Sequence, residues 1–188
     1  MIETPGGIEG IPGPFYYLRH GETLYNRLEL LSGWREIDLT DKGRAQAQRA
    51  AGLLAGKGIT HIYSSRLPRA LETAQPVAEA LGLDINVLWE LNERRYGVLE
   101  GRSRSLRRPG FTPEGGESWE EFSERVNRAI MQVSFAGLPL VVAHAGVYRV
   151  IKSRLGLPEW EARVDNALPV YLERRAGDGN WTATPLGV

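Results

Sequence analysis

Two short apolar runs, each followed closely by a histidine, set the strongest limit on the fold of this chain. Phe15–Leu18 is apolar and aromatic throughout, and Leu140–Ala143 is a continuous aliphatic run. Runs without alternating polar positions are typical of strands that are buried on both faces of a parallel sheet. Such a sheet needs a layer of helices on each side. The sequence therefore predicts an α/β protein.

Helical patterns alternate with strand patterns along the rest of the chain. Thr40 is a predicted N-cap for a helix that runs to about Leu54, and Ser118 opens a capping-box pattern before a later helix. The remaining predicted elements are strands at 61–65 and 85–88, a helix at 66–82 that Pro76 should kink, a helix after His144, and a hairpin of strands at 169–175 and 180–186. This order predicts a three-layer α/β/α sandwich with a mostly parallel central sheet.

Length, charge and cysteine content exclude several classes of protein. We expect one domain over residues 1–188, with the Gly- and Pro-rich residues 1–13 as a flexible lead-in. Lys plus Arg and Asp plus Glu number 23 each, so the chain lacks the positive field of a nucleic-acid or membrane-surface binder. It has no cysteine, which excludes disulfides and a cysteine nucleophile. No stretch resembles a signal peptide or a membrane span, so we expect a cytoplasmic protein.

The polar residues that follow the two apolar runs are candidates for a shared site. His20 and His144 each come after a predicted strand and before a glycine-containing turn. If those strands are parallel neighbours, both imidazoles reach the edge of the sheet where ligands bind in α/β proteins. Arg19 disfavours a second positive charge and so helps to keep His20 neutral and nucleophilic. Arg69 is expected at the same edge, near a helix N-terminus, and this combination of cations suits a phosphoryl group.

Four segments of the chain resemble the landmark segments of a known family. FYYLRHGETLYN (15–26), YSSRLPRALETA (63–74), LNERRYGVLEG (91–101) and VVAHAGV (141–147) are similar, in this order, to those of the histidine phosphatase superfamily, which includes the cofactor-dependent phosphoglycerate mutases. The resemblance implies that His20 is a nucleophile that becomes phosphorylated and that Glu93 is the proton donor. The expected phosphate-binding residues are Arg19, Thr23, Asn26, Gly33, Arg69, His144 and Ala145.

The reaction that we expect is hydrolysis of a small phosphomonoester, without a metal or an organic cofactor. The LNERRYG segment is similar to the mutases, whereas PEGGES (113–118) is similar to the phosphatases. A mutase must keep water away from its phosphohistidine, and in the mutases a long insertion follows the LNERRYG-like segment. Here only Arg102–Gly116 follows it, and the chain ends at Val188 soon after the hairpin, so we expect an open site that hydrolyses. A mutase, which would use a 2,3-bisphosphoglycerate primer, is the alternative.

Other interpretations of the same residues remain open at the level of sequence. His20, His61 and His144 could form a three-histidine metal site, although Arg19 would repel the cation. The protein could also keep the fold as a non-catalytic binder of a phosphorylated ligand. The arginines of the 102–108 segment could face the substrate or only solvent. The sequence is compatible with a monomer or a homodimer.

Overall fold

A six-stranded mixed sheet forms the centre of the computed structural model, which describes residues 10–158 and 164–187. Its strand order is β3-β2-β4-β1-β5-β6. The strands are β1 (Phe15–Arg19), β2 (Ile59–Ser64), β3 (Ile85–Val87), β4 (Leu138–Ala143), β5 (Pro169–Arg174) and β6 (Trp181–Pro185). The first four in sheet order are parallel, and the closing hairpin adds two antiparallel strands beside β1. The predicted hairpin and the mostly parallel sheet are confirmed.

In the described part of the chain, five α-helices connect or flank these strands. They are α1 (Leu24–Arg27), α2 (Asp41–Leu54), α3 (Pro68–Leu81), α4 (Trp119–Gln132) and α5 (Ala145–Arg154). The two predicted caps are confirmed: Thr40 accepts a hydrogen bond from the backbone of Gly43, and Ser118 forms a capping box with Glu121. Helix α3 continues through Pro76 to a left-handed Gly82, so this proline does not end the helix.

Both faces of the central strands are buried, as the apolar runs predict. In β1, Phe15 and Tyr17 belong to one apolar cluster, which also includes side chains of α4 and α5. Tyr16 and Leu18 belong to a second cluster, with side chains of α2 and α3. Alternate residues of one strand therefore contact two different helical layers. This arrangement is the predicted three-layer sandwich.

The parallel pairing of β1 with β4 determines where the candidate site lies. Arg19 at the end of β1 is opposite Ala143 at the end of β4. The residues that follow these two, His20 and His144, consequently emerge at the same edge of the sheet. The first condition for a shared histidine site is met by the strand register.

The structure corrects several local expectations. Ile11 is buried in the first apolar cluster, so the flexible lead-in predicted for 1–13 is wrong at this position; residues 1–9 lie outside the described part. Strand β2 begins at Ile59 rather than at His61. Short 3-10 turns at Trp89–Leu91, Gly97–Leu99 and Arg104–Leu106, as well as α1, were not expected. Within the described residues, no helix is long and apolar enough to span a membrane.

Candidate active site

His20 is held at the end of β1 by its own backbone and by its ring. Its N–H donates to the carbonyl oxygen of Ala143 in β4 at 3.0 Å, which continues the strand pairing by one residue. Its ring Nδ1 lies 2.8 Å from the carbonyl oxygen of Gly21. A carbonyl oxygen can only accept, so Nδ1 carries the proton and Nε2 carries the free electron pair. The local contacts therefore make Nε2 the nucleophilic atom.

The turn after His20 is packed too closely against α2 to hold a side chain. A Cβ on Gly21 would lie 2.5 Å from the carbonyl oxygen of Gly43, and a Cβ on Gly43 would collide with the backbone of Glu22. The Gly21 N–H donates to the hydroxyl of Thr73 on α3 at 2.9 Å. Two glycines thus allow two backbone segments to touch, and this contact fixes the direction in which the chain leaves His20.

His144 lies beside His20, with the two ring centroids 5.2 Å apart. Its Nε2 is 2.8 Å from the hydroxyl of Ser65, which itself donates to the side-chain oxygen of Asn92 at 2.9 Å. Since the Ser65 proton is used in that second bond, the neutral His144 ring donates from Nε2 and carries its free pair on Nδ1. The carbonyl oxygen of His144 accepts from the hydroxyl of Tyr17 at 2.6 Å. The ring is therefore oriented by Ser65 together with Asn92, and the backbone that carries it is held by Tyr17.

The two arginines of the site are bonded to backbone carbonyls rather than to carboxylates. Arg69 is fully buried and donates to the carbonyl oxygens of Gly33 at 2.8 Å and Arg35 at 2.9 Å. Arg19 donates to the carbonyl oxygen of Val164 at 3.1 Å. Carbonyl dipoles orient a guanidinium group without neutralising its charge. Both cations consequently keep a net positive charge inside the protein.

Three buried nitrogens around the two histidines have no hydrogen-bond partner among the described residues. They are Nε of Arg19, Nε of Arg69 and Nδ1 of His144. The two arginine Nε atoms are donors, and buried donors in folded proteins are nearly always paired, so they are suited to a ligand that accepts hydrogen bonds. Both belong to cations. An anion with several oxygen acceptors fits them best, and Nδ1 of His144 can join them when it carries a proton.

Burial and the two arginines both keep the histidines neutral. The pKa of His20 lies well below 6.5, first because the ring is buried and then because Arg69 and Arg19 repel a further positive charge. The pKa of His144 is lowered well below 6.5 in the same way, by burial first and then by Arg69. Burial lowers the pKa of Arg69 to about 10, which still leaves it charged at neutral pH. The site thus combines fixed cations with neutral imidazoles.

Glu93 reaches the site from the segment between β3 and α4. Its Oε1 accepts from the N–H of Arg94 at 2.8 Å, and its Oε2 accepts from the N–H of Gly146 at 3.1 Å. A Cβ on Gly146 would collide with the Glu93 carboxylate, so only glycine leaves room for it there. Burial lowers the pKa of both Arg19 and Arg69, and the nearby negative charge of Glu93 opposes this lowering. Glu93 is therefore within electrostatic range of the cations that surround the histidines.

The other predicted phosphate-binding residues are nearby, but their contacts differ from one another. Thr23 and Asn26 form the capping box of α1, and the Asn26 side-chain oxygen also accepts from Asn166 at 3.2 Å. Gly33 uses its carbonyl oxygen to hold Arg69. Ala145 is the first residue of α5. Thr23 and Gly33 therefore act within the protein framework in this structure, and they support the residues that could contact a ligand.

Several residues of the site were not predicted. Asn166 donates to the carbonyl oxygens of His20 at 2.8 Å and Gly21 at 3.2 Å, and nothing in the surrounding sequence indicates this. Ser65 ends the strand predicted at 61–65, but its contact with His144 was not predicted. Arg125 carried a usable signal, because it lies on the apolar face of α4 and a charge there requires a partner.

The three histidines do not come together. His61 is opposite Pro139 near the beginning of β4, whereas His144 follows the end of that strand. The His61 ring contacts the Thr60 hydroxyl at 2.9 Å instead. In the described part of the chain, no group of three His, Asp or Glu side chains is arranged to hold a metal ion. The three-histidine metal site is therefore wrong.

Comparison with known protein families now adds to the geometry. The family model of the histidine phosphatase superfamily (branch 1) matches residues 15–183, which is most of the chain. The chain belongs to this superfamily. That match includes every residue of the site described above, from Arg19 to Asn166.

Individual members of the superfamily that resemble the chain have two kinds of name. "Probable phosphoglycerate mutase GpmB" of Shigella boydii is 38% identical over 167 residues, which cover 79% of this chain and 77% of the relative. A candidate alpha-ribazole-5'-P phosphatase of Escherichia coli has a solved structure with a TM-score of 0.79 and 31% identity, covering 93% of this chain and 96% of that one. A mycobacterial glucosyl-3-phosphoglycerate phosphatase has a TM-score of 0.77 at 25% identity, covering 94% and 98%. The predicted family, fold and phosphatase type of enzyme are confirmed.

The two buried histidines predict a loss of stability in mild acid. In the unfolded chain their pKa returns to about 6.5, so below this pH the unfolded chain binds protons that the folded chain does not. The free energy of unfolding should therefore fall as the pH falls through about 6.5, by up to about 1.4 kcal/mol per pH unit for each histidine. Urea unfolding between about pH 8 and about pH 5.5 measures this slope. His144→Gln should have a smaller slope than the unchanged protein, and an equal slope would contradict the prediction.

Proposed function

We propose that this protein is a phosphomonoesterase that hydrolyses a small phosphorylated metabolite through a phosphohistidine on His20. The observation that carries the proposal is the group of unpaired buried nitrogens on Arg19, Arg69 and His144, which surrounds a neutral His20 ring. A phosphoryl group supplies several acceptor oxygens and negative charge. It can accept from both arginine nitrogens at once, and from Nδ1 of His144 when that atom is protonated.

In the first step, Nε2 of His20 attacks phosphorus while the bond to the ester oxygen breaks. The two guanidinium groups bind the phosphoryl oxygens, on which the negative charge of the transition state is spread. Burial and then repulsion by Arg69 lower the pKa of His144, and the charge of a bound anion opposes both effects, so that Nδ1 can take up a proton and donate to the phosphoryl group. Glu93 is protonated at the start of this step and gives its proton to the leaving oxygen, so that it becomes a carboxylate. The alcohol leaves, and the phosphoryl group stays on His20.

In the second step, water attacks the phosphohistidine and the P–N bond breaks. Glu93, now a carboxylate, takes a proton from this water, and His20 is restored with its electron pair on Nε2. The bond from Nδ1 to the Gly21 carbonyl oxygen can persist throughout and would stabilise the charged phosphohistidine ring. The proposed reaction uses no metal and no organic cofactor, because the arginines supply the positive charge.

The substrate side of the site is bordered by the arginine-rich segment. Arg104 lies close enough to Arg19 to lower its pKa, while Arg102–Gly110 is largely exposed. The backbone of Arg104 is attached to the segment after α1 by a 2.8 Å bond to the carbonyl oxygen of Glu29. This proximity to Arg19 favours a substrate-facing role for Arg104. A cytoplasmic location and a monomeric or homodimeric state stay predictions from the sequence.

A phosphoglycerate mutase is the second candidate, because the curated relatives carry that name and the LNERRYG segment resembles the mutases. A mutase needs a closed site during the lifetime of the phosphohistidine. The exposed Arg102–Gly110 segment, with Leu106 and Phe111 about half exposed, favours access of water. The solved phosphatases also align over nearly the full length of both chains. Hydrolysis is therefore the activity that we favour.

Phosphorylation of His20 tests the proposed chemistry directly. Rapid quenching without acid during turnover of p-nitrophenyl phosphate, followed by mass spectrometry, should find the phosphate on His20 and not on His61. His20→Ala should lose activity by at least about 10³-fold, because the nucleophile is absent. Full activity in this variant, or phosphate on a serine, would support a different mechanism, whereas an unchanged protein without activity would support the non-catalytic binder.

The acceptor of the phosphoryl group, either water or a second metabolite, distinguishes the hydrolase from the mutase. A panel of phosphomonoesters should yield inorganic phosphate as the main product, since the proposed site is open to water. The same samples are assayed for interconversion of 2- and 3-phosphoglycerate with and without 2,3-bisphosphoglycerate. Interconversion that depends on this primer and is faster than phosphate release would establish the mutase.

If Glu93 is the proton donor, the loss of activity on its substitution should depend on the leaving group of the substrate. Glu93→Gln should lower kcat/KM for an alkyl phosphate by about 10²-fold or more, because an alkoxide leaves poorly without a proton. The loss with p-nitrophenyl phosphate should be much smaller, because this leaving group needs no proton. Equal losses on both substrates would mean that Glu93 is a structural carboxylate.

A further inference from the structure

Arg125 is a buried charge that the proposed reaction does not use. It lies on the apolar face of α4, between Phe122 and Ala129, and only 3% of its surface is exposed. Its guanidinium group is 5.1 Å from the ring centre of Phe122, 5.6 Å from that of Trp34 and 5.8 Å from that of Trp89. An arginine in such a position is costly to bury, and its contacts should indicate what it does there.

All five N–H groups of the Arg125 guanidinium have a partner. Two of them form a fork with the Glu117 carboxylate, both at 2.7 Å. The other three donate to carbonyl oxygens of one short segment, at 2.7 Å to Glu90, 3.0 Å to Asn92 and 3.2 Å to Glu93. Arginine has five donors, so this group is fully satisfied. All three carbonyl oxygens belong to the 90–93 segment, and two of them are those of Glu93 and its neighbour Asn92.

Glu117 and Trp34 also form hydrogen bonds with the residues around Glu93. The Glu117 carboxylate accepts from the N–H of Arg95 at 2.8 Å, and its carbonyl oxygen accepts from the Arg94 side chain. The indole N–H of Trp34 donates to the Glu93 carbonyl oxygen at 2.8 Å. Residues on both sides of Glu93 are therefore tied to one buried ion pair.

We propose that the Arg125–Glu117 ion pair positions the Glu93 carboxyl group for proton transfer. This inference rests on the proposed function, in which Glu93 is the proton donor. The only hydrogen bonds that the Glu93 carboxylate itself makes within the described residues are to the N–H groups of Arg94 and Gly146. The location of the carboxyl group consequently follows the backbone at 92–94. An ion pair that only stabilised α4 would not need three hydrogen bonds to the 90–93 segment.

The expected consequence is a selective loss of proton transfer. A misplacement of about 1 Å can cost about 10²-fold in rate, because the acid must lie within hydrogen-bond reach of the leaving oxygen. Binding of the phosphoryl group by the arginines at positions 19 and 69 does not involve this segment directly. Arg125 is therefore a positioning residue, and its loss should resemble the loss of the Glu93 acid.

The test compares Arg125→Met with Arg128→Met, an exposed arginine on the same helix. We expect Arg125→Met to lower kcat/KM for an alkyl phosphate by about 10-fold to 10²-fold, and that for p-nitrophenyl phosphate by less than about 3-fold. Arg128→Met should change neither value. Thermal unfolding of each variant shows that the assay is performed on folded protein. Equal losses on both substrates would overturn the proposal, since a merely structural role has no dependence on the leaving group.

A double-mutant cycle with Glu93→Gln provides the second measurement. If Arg125 acts through Glu93, the variant with both changes should be no slower on the alkyl phosphate than Glu93→Gln alone. Multiplied losses would overturn the inference. If Arg125→Met does not fold, Arg125→Lys and Glu117→Gln take its place. For these variants too, we expect a larger loss of kcat/KM on the alkyl phosphate than on p-nitrophenyl phosphate, and equal losses would overturn the proposal. A wild-type protein without phosphatase activity, or Glu93→Gln without leaving-group dependence, would instead contradict the proposed function.

Discussion

Positive charge buried without a carboxylate partner is the constraint on which the site depends. Arg69 is fully buried, yet its hydrogen-bond partners among the described residues are the carbonyl oxygens of Gly33 and Arg35, and Arg19 donates to a carbonyl oxygen in the same way. Burial lowers the pKa of both arginines, while the nearby charge of Glu93 opposes this shift. The folded chain therefore holds an arrangement that an anion would stabilise. Because the donors are already fixed, the anion need not reorganise them when it binds.

The apolar layers of the sandwich make this arrangement possible. The central strands β1 and β4 are buried on both faces, and they carry His20 and His144 at adjacent ends. Hydrophobic burial of this kind is the main favourable contribution to folding, and it offsets the cost of ordering charged groups in the interior. The backbone bond from His20 to Ala143 extends the rigid strand pairing into the site. The positions of the two rings are thus properties of the sheet rather than of a flexible loop.

One segment connects the second histidine with the proposed acid. The Asn92 side chain accepts from Ser65, which holds His144, and the Asn92 carbonyl oxygen accepts from Arg125. Adjacent Glu93 enters the site through the space left by Gly146. The segment is therefore held from two sides, by Ser65 at the Asn92 side chain and by Arg125 at the backbone carbonyl oxygens. The two sets of bonds are made by different atoms, so the loss of one does not remove the other.

The sequence by itself determined the main strands and the longer helices, the caps at Thr40 and Ser118, and the two histidines at strand ends, because apolar periodicity and capping are local patterns. Its motifs also indicated the family and the residues that the structure brings together, from Arg19 to His144. Only the tertiary structure decided what holds them: Ser65 contacts His144 across 79 residues, and Arg125 contacts Glu93 across 32. It also decided that Gly33 supports Arg69, that Ile11 joins the core and that His61 lies apart from the other histidines. The physical reason is that these contacts depend on strand order and close packing between distant segments, which no local pattern of residues encodes.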